Sequence, residues 1–180
     1  MPPTSNYYIW VGGSRGHVAE FYTGVIDACC TYPPQGATTL ALAVSQQLTG
    51  IDFSLPAAAY ATGRIYDPLT NADVAGLYVK LYDAAGNPAG PTDIFFHPDN
   101  PSDASGNYVS VSVPTGSYYL ALSSALGTIL YPNVICPSSG CDFSQAQLLN
   151  FSNAQEYQNL DFAIPHLELI FRNGFEIATP

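Results

Sequence analysis

Four cysteines, three histidines, a few carboxylate-rich turns and a set of aromatic side chains are the residues of this 180-residue chain that could do chemistry. Cys136 and Cys141 flank Pro137-Ser138-Ser139-Gly140, a spacer short enough for the two thiols to close a small disulfide ring in an oxidising compartment. Zinc would need two further ligands, and no His or Cys cluster supplies them. Cys29 and Cys30 are adjacent. A strained vicinal bond, two free thiols and bonds to outside partners are all open for them. His17, His97 and His166 stand singly in unlike contexts, and none is joined by a nucleophile motif of the Gly-x-Ser-x-Gly kind. The chain is therefore not expected to be an enzyme, and no cofactor or metal is expected.

Three further groups invite a specific chemistry. Asp99 and Asp103 with Asn100 and Asn107 could offer oxygens to calcium, which takes six to eight of them, but their spacing is not that of an EF-hand. Asp-Asn-Pro and Asp-Ala-Ser-Gly are also ordinary turn sequences. Lys80 invites comparison with sandwiches that crosslink a buried Lys to an Asn. It alternates with Leu77, Val79 and Leu81 and shares the face of Tyr78 and Tyr82, which places it toward solvent. Tyr8 and Trp10 lie on the face opposite Tyr7, Ile9 and Val11, where rings could stack on a sugar or pack against a neighbouring module.

The composition limits which elements can carry these groups. Four cationic residues face fourteen carboxylates, and a net charge of −10 repels a polyphosphate backbone, so nucleic acid is not an expected partner. Charged residues make up 10% of the chain, well below the usual ~25%, and uncharged polar and turn-forming residues take their place. That balance suits short strands joined by turns. No run approaches the ~18 apolar residues of a membrane span, and the N-terminal residues lack the basic start and apolar core of a signal peptide.

An internal repeat organises the chain. Tyr7-Tyr8-Ile9-Trp10-Val11 matches Tyr118-Tyr119-Leu120-Ala121-Leu122, 111 residues on, and Ile51-Asp52-Phe53-Ser54-Leu55-Pro56 matches Leu160-Asp161-Phe162-Ala163-Ile164-Pro165, 109 residues on. Between them, strand patterns at 61–67, 77–82, 93–96, 108–113 and 117–122 are separated by turns at 83–87 and 103–107. Seven or so short strands over about 110 residues specify an antiparallel sandwich.

The succession Thr62-Gly63-Arg64-Ile65-Tyr66-Asp67, Val74-Ala75-Gly76-Leu77-Tyr78-Val79-Lys80-Leu81-Tyr82-Asp83-Ala84-Ala85-Gly86, Asp103-Ala104-Ser105-Gly106-Asn107-Tyr108 and Pro114-Thr115-Gly116-Ser117-Tyr118-Tyr119 resembles the carboxypeptidase regulatory-like domain. The resemblance implies an all-β, Ig/prealbumin-like sandwich over residues 57–165. It also implies that 1–56 form the C-terminal strands of a truncated first copy, and it leaves 166–180 as a tail. Leu167, Leu169 and Phe171 alternate there, and the Phe171-Arg172-Asn173-Gly174-Phe175-Glu176 ending resembles tails of secreted bacterial proteins. The family implies a noncatalytic module that spaces or anchors other domains outside the cell, with neighbouring repeats as partners and the export signal missing from this stretch. Polysaccharide binding through Tyr8 and Trp10 is the alternative from a different class.

Overall fold

Alternation explains the longest strands. In the computed structural model, which describes residues 5–13, 15–27, 33–90, 101–124, 127–137 and 139–164, Val79 and Leu81 point inward and are buried, while Tyr78 and Lys80 lie on the other face. The first part of the chain carries β1 (Ser5–Tyr7), β2 (Trp10–Val11), β3 (Glu20–Phe21), β4 (Val25–Ile26) and β5 (Leu40–Leu42). The second carries β6 (Tyr60–Tyr66), β7 (Tyr78–Asp83), β8 (Pro88–Ala89), β9 (Asn107–Val109) and β10 (Gly116–Ser124). It continues through β11 (Gly127–Leu130), β12 (Val134–Ile135), a 3-10 turn at Phe143–Gln145, β13 (Leu149–Phe151), β14 (Glu156–Tyr157) and β15 (Phe162–Ala163). Among the described residues no helix is long and apolar enough to cross a membrane.

Residues 57–164 form a two-layer sandwich. One layer runs β12-β11-β10-β7-β8 with β13 also on β10, and the other places β6 between β9 and the β14–β15 segment. Ala61 and Ile65 of β6, Leu81 of β7, Leu120 and Leu122 of β10, Ile129, Phe151 and Phe162 fill the space between them. The all-β sandwich expected from the turn spacing is what forms. One feature departs from it: β14 and β15 run parallel to β6, whereas the other named strand pairs are antiparallel. A period of two reveals which face of a strand is buried but not the direction of its neighbour.

The expected strand over 108–113 is shorter than its pattern. β9 ends at Val109, and Ser110 turns its hydroxyl to accept the Ala61 N–H at 2.8 Å and to donate to the Val111 carbonyl at 2.9 Å. Val113 then rejoins through a bridge to Ala59. A serine hydroxyl competing for backbone groups interrupts the ladder. The expected strand at 93–96, and the tail at 166–180 with Leu167, Leu169 and Phe171, lie outside the described residues.

The pairings of the first part recur in the second. β1 pairs β5 with Tyr7 opposite Leu40, and β10 pairs β13 with Tyr118 opposite Leu149. Trp10 faces Phe21 as Ala121 faces Leu130, and Phe21 faces Val25 as Leu130 faces Val134. In each case the strand of the double-Tyr motif moves by 111 residues and its partners by 109, the separations read from the sequence alone. Tyr22 meets Phe53 edge-on at 6.1 Å, as Tyr131 meets Phe162 at 5.7 Å. Burial is where the two parts differ. Leu120, Leu122, Phe151 and Phe162 are fully enclosed, but Ile9, Val11, Leu42 and Phe53 at the matching places are only half-buried.

The two parts meet through backbone rather than a loose linker. Val18 N–H donates to the Pro56 carbonyl at 3.1 Å and Ala58 N–H to the Gly16 carbonyl at 2.8 Å, while His17 bridges Ala57. Gly16 N–H also donates to Ser112 Oγ at 3.1 Å.

Candidate functional site

The outer face of β7 and β10 carries the densest set of chemically distinctive side chains. β12 leads into the loop that closes on itself through a Cys136–Cys141 disulfide, with Cα atoms 4.6 Å apart. A five-residue closure restricts the unfolded chain by roughly 2 kcal/mol in the loop-entropy account. The loop runs on to Asp142, whose Oδ1 accepts the Ser144 N–H at 3.0 Å and the Ser144 hydroxyl at 2.7 Å, starting the 3-10 turn. That turn sets Phe143 against Tyr82 at 5.3 Å and Tyr119 at 5.1 Å. Ala121, Leu130 and Cys136 are buried beneath. The disulfide therefore pins an aromatic lid over the outside of the sheet. Tyr82 and Tyr119 are on an outward face in the sequence pattern, but Phe143 is missed there, because no periodicity links a loop residue to the strands it covers.

Tyr8 and Trp10 occupy the corresponding face of the first part and are brought together with Phe21. Tyr8 meets Phe21 edge-on at 6.4 Å and is 44% exposed. Trp10 is half-buried, donates its indole N–H to Asp27 Oδ2 at 3.0 Å, and lies over Gly12, where an added Cβ would sit 3.1 Å from the ring. Trp10 thus packs within its own part of the chain, the alternative to a sugar platform. Asp27 stands where Cys136 stands in the second part and is itself buried. Its carboxylate gives the indole a partner, which a buried Trp requires.

Asp103 and Asn107 are consumed by a turn. Asp103 Oδ1 accepts the backbone N–H groups of Ser105 and Asn107, both at 2.9 Å, and Oδ2 accepts the Asn107 side-chain amide at 3.3 Å. Asp83 repeats the arrangement with Ala85 and Asn87 at 2.9, 2.8 and 3.1 Å. These oxygens serve backbone donors rather than a cation. Asp99 and Asn100 lie outside the described residues, and among the described residues no group of three or more His, Cys, Asp or Glu comes together as a metal site. His17 is exposed beside its Ala57 bridge, whereas His97, His166, Cys29 and Cys30 lie outside the described residues. Lys80 is half-buried on the face opposite Val79 and Leu81, across from Ala121.

The backbone N–H of Asn107 holds the Asp103 carboxyl below the usual Asp range, and that of Asn87 does the same for Asp83. A carboxyl depressed in the folded state contributes stability above its unfolded pKa, and the contribution is lost as pH falls through the folded value. Both turns should therefore remain intact at pH 5 and weaken only below about 4. Carbon-detected NMR titration is expected to place both midpoints below that of an unstructured Asp, and Asn107→Ala should raise the Asp103 midpoint while leaving that of Asp83 unmoved. Ordinary midpoints in the wild type would show that the turns are not formed.

A cluster around Arg64 escapes the sequence pattern altogether. Its Nε donates to Asp73 Oδ1, its Nη2 to the Asn71 carbonyl at 2.9 Å, and its guanidinium lies 5.1 Å from the centre of the Tyr66 ring. The group ties the 67–73 turn to β6. No motif predicts the pairing, because the turn alone folds Asp73 back beside β6.

No family model matches this chain, and no curated protein matches it. Among solved structures it is similar to the backbone protein of pilus 2b of group B streptococcus, with 14% identity over 77% of this chain and a TM-score of 0.35. The match spans 48% of that chain, about half its length.

Proposed function

We propose that the chain is a piece of a tandem array of carboxypeptidase regulatory-like sandwiches, a noncatalytic module that spaces or anchors other domains outside the cell. In this reading residues 1–56 are the closing strands of one copy and 57–165 a complete copy. The observation that carries it is the recurrence of strand registers at separations of 111 and 109 residues, combined with the incomplete burial of Ile9, Val11, Leu42 and Phe53. Those side chains match Leu120, Leu122, Phe151 and Phe162, which β6, β7 and β9 help to enclose in the second copy. The backbone junction at 16–18 and 56–58 supports a stiff joint between copies, as a spacer requires.

A graft tests the reading. Placing residues 57–112 ahead of residue 1 supplies the first copy with the strands that it is proposed to lack. Amide exchange across 5–55, expected to be much faster than across 61–164 in the chain as it stands, should then slow to match the second copy. X-ray scattering should report an elongated particle of two stacked modules. Unchanged exchange across 5–55 after grafting would overturn the two-copy reading.

A further inference from the structure

We propose that the sandwich of residues 57–164 is built to bear tension along its length, with the parallel ladder between β6 and the β14–β15 segment as its clamp. The proposal deepens the spacer reading and rests on it, because only a module joined to others at both ends is pulled from both ends.

The direction of the strands sets how force acts. The chain enters beside Tyr60, where Glu156 is the parallel partner, and leaves beside Tyr66, where Ala163 is the partner. Entry and exit thus lie at opposite ends of a seven-residue strand, about 20 Å apart at ~3.3 Å per residue. Pulling them apart drives β6 past its neighbour along the strand axis, across hydrogen bonds that lie transverse to it. All the rungs must then yield together. Antiparallel first and last strands would put both ends at the same edge, and the rungs would open one at a time.

The rungs are continuous even though β14 and β15 are short. Tyr60 N–H donates to the Gln155 carbonyl at 3.2 Å, Leu160 N–H to Thr62 at 3.1 Å, and Ile164 N–H to Tyr66 at 2.8 Å. Between β14 and β15 the chain leaves strand geometry, and there Asp161 Oδ1 accepts the Arg64 N–H at 2.8 Å. Thr62 Oγ1 donates to Glu156 Oε1 at 2.8 Å, and the Tyr108 hydroxyl donates to the Leu160 carbonyl at 2.6 Å. Burial pushes the Tyr108 hydroxyl far above the usual phenol range, so it stays protonated and remains a donor. Gly63 permits the approach, since a Cβ there would stand 2.5 Å from the Leu160 oxygen. On its other edge β6 is held by β9, through Ser110 N–H to the Ala61 carbonyl and Ile65 N–H to the Gly106 carbonyl. Even-numbered residues of β6 therefore bond to the closing segment and odd-numbered ones to β9.

Optical-tweezers measurements on the full chain test the clamp. One DNA handle is attached through an azide-bearing residue in place of Ala57, and the second either at the C-terminus or through Thr115. Thr115 follows Val113, which bridges Ala59, so the second geometry peels β6 from β9 starting at one end. The unfolding force of the 57–164 sandwich is expected to be several-fold higher with the C-terminal handle, since forced unfolding reports the barrier along the pulled direction. Asp161→Ala removes an exposed acceptor, and its folding is checked by thermal melting. The variant should lower the force in the C-terminal geometry and leave the Thr115 geometry unchanged. Equal forces in the two geometries, or an Asp161→Ala effect of the same size in both, would overturn the clamp. Neither result would touch the two-copy organisation, which the graft reads separately through amide exchange.

Discussion

Phe162→Ala is expected to destabilise the sandwich by about 3–5 kcal/mol, and Phe53→Ala by only about 1–2 kcal/mol. The two phenylalanines occupy matching places in the repeat, and each meets a tyrosine edge-on, Tyr131 in one case and Tyr22 in the other. They differ in what surrounds them. Phe162 is fully buried, with Tyr108 at 6.0 Å on the opposite side from solvent, so truncation leaves a cavity that two packed sheets cannot close. Phe53 is half-buried, and water or a shifted side chain can occupy the space it leaves. Denaturant unfolding followed at probes within 57–164 should show the larger loss for Phe162→Ala, a drop of about 10 °C in Tm for a chain of this size. Equal losses at the two positions would mean that the first part has a complete core of its own.

Gly106→Ala should cost about 3 kcal/mol or more, the sum of a left-handed backbone penalty and a broken buried hydrogen bond. Gly106 has φ +72° and closes the 103–107 turn, and a Cβ there would stand 2.4 Å from the Ile65 carbonyl oxygen. That oxygen accepts the Val74 N–H at 2.9 Å, and Ile65 N–H donates to Gly106 itself at 2.8 Å. Neither backbone can retreat without losing a bond that holds β6. Gly76 is the control, with φ +82° and open space around it. Gly76→Ala should therefore cost about 1–2 kcal/mol, the conformational penalty alone. The comparison is made by denaturant midpoints of the two variants, and similar midpoints would show that the contact with Ile65 does not confine Gly106.

The turns at 83–87 and 103–107, the inward set Val79 and Leu81, and the repeat separations were all legible in the sequence. Each depends on residues close in the chain or on a pattern that occurs twice. An Asp four residues before an Asn with Gly between them makes its own turn, and alternation marks a buried face whatever the sheet around it. Tertiary structure decided the rest. The direction of β14 and β15 beside β6 depends on how the layers close, and so do the meeting of Phe143 with Tyr82 and Tyr119 and the pairing of Arg64 with Asp73. Trp10 shows the divide within one residue. Its outward position follows from alternation, but its indole bond to Asp27 needs β2, β3 and β4 folded side by side before a carboxylate seventeen residues away comes within 3.0 Å.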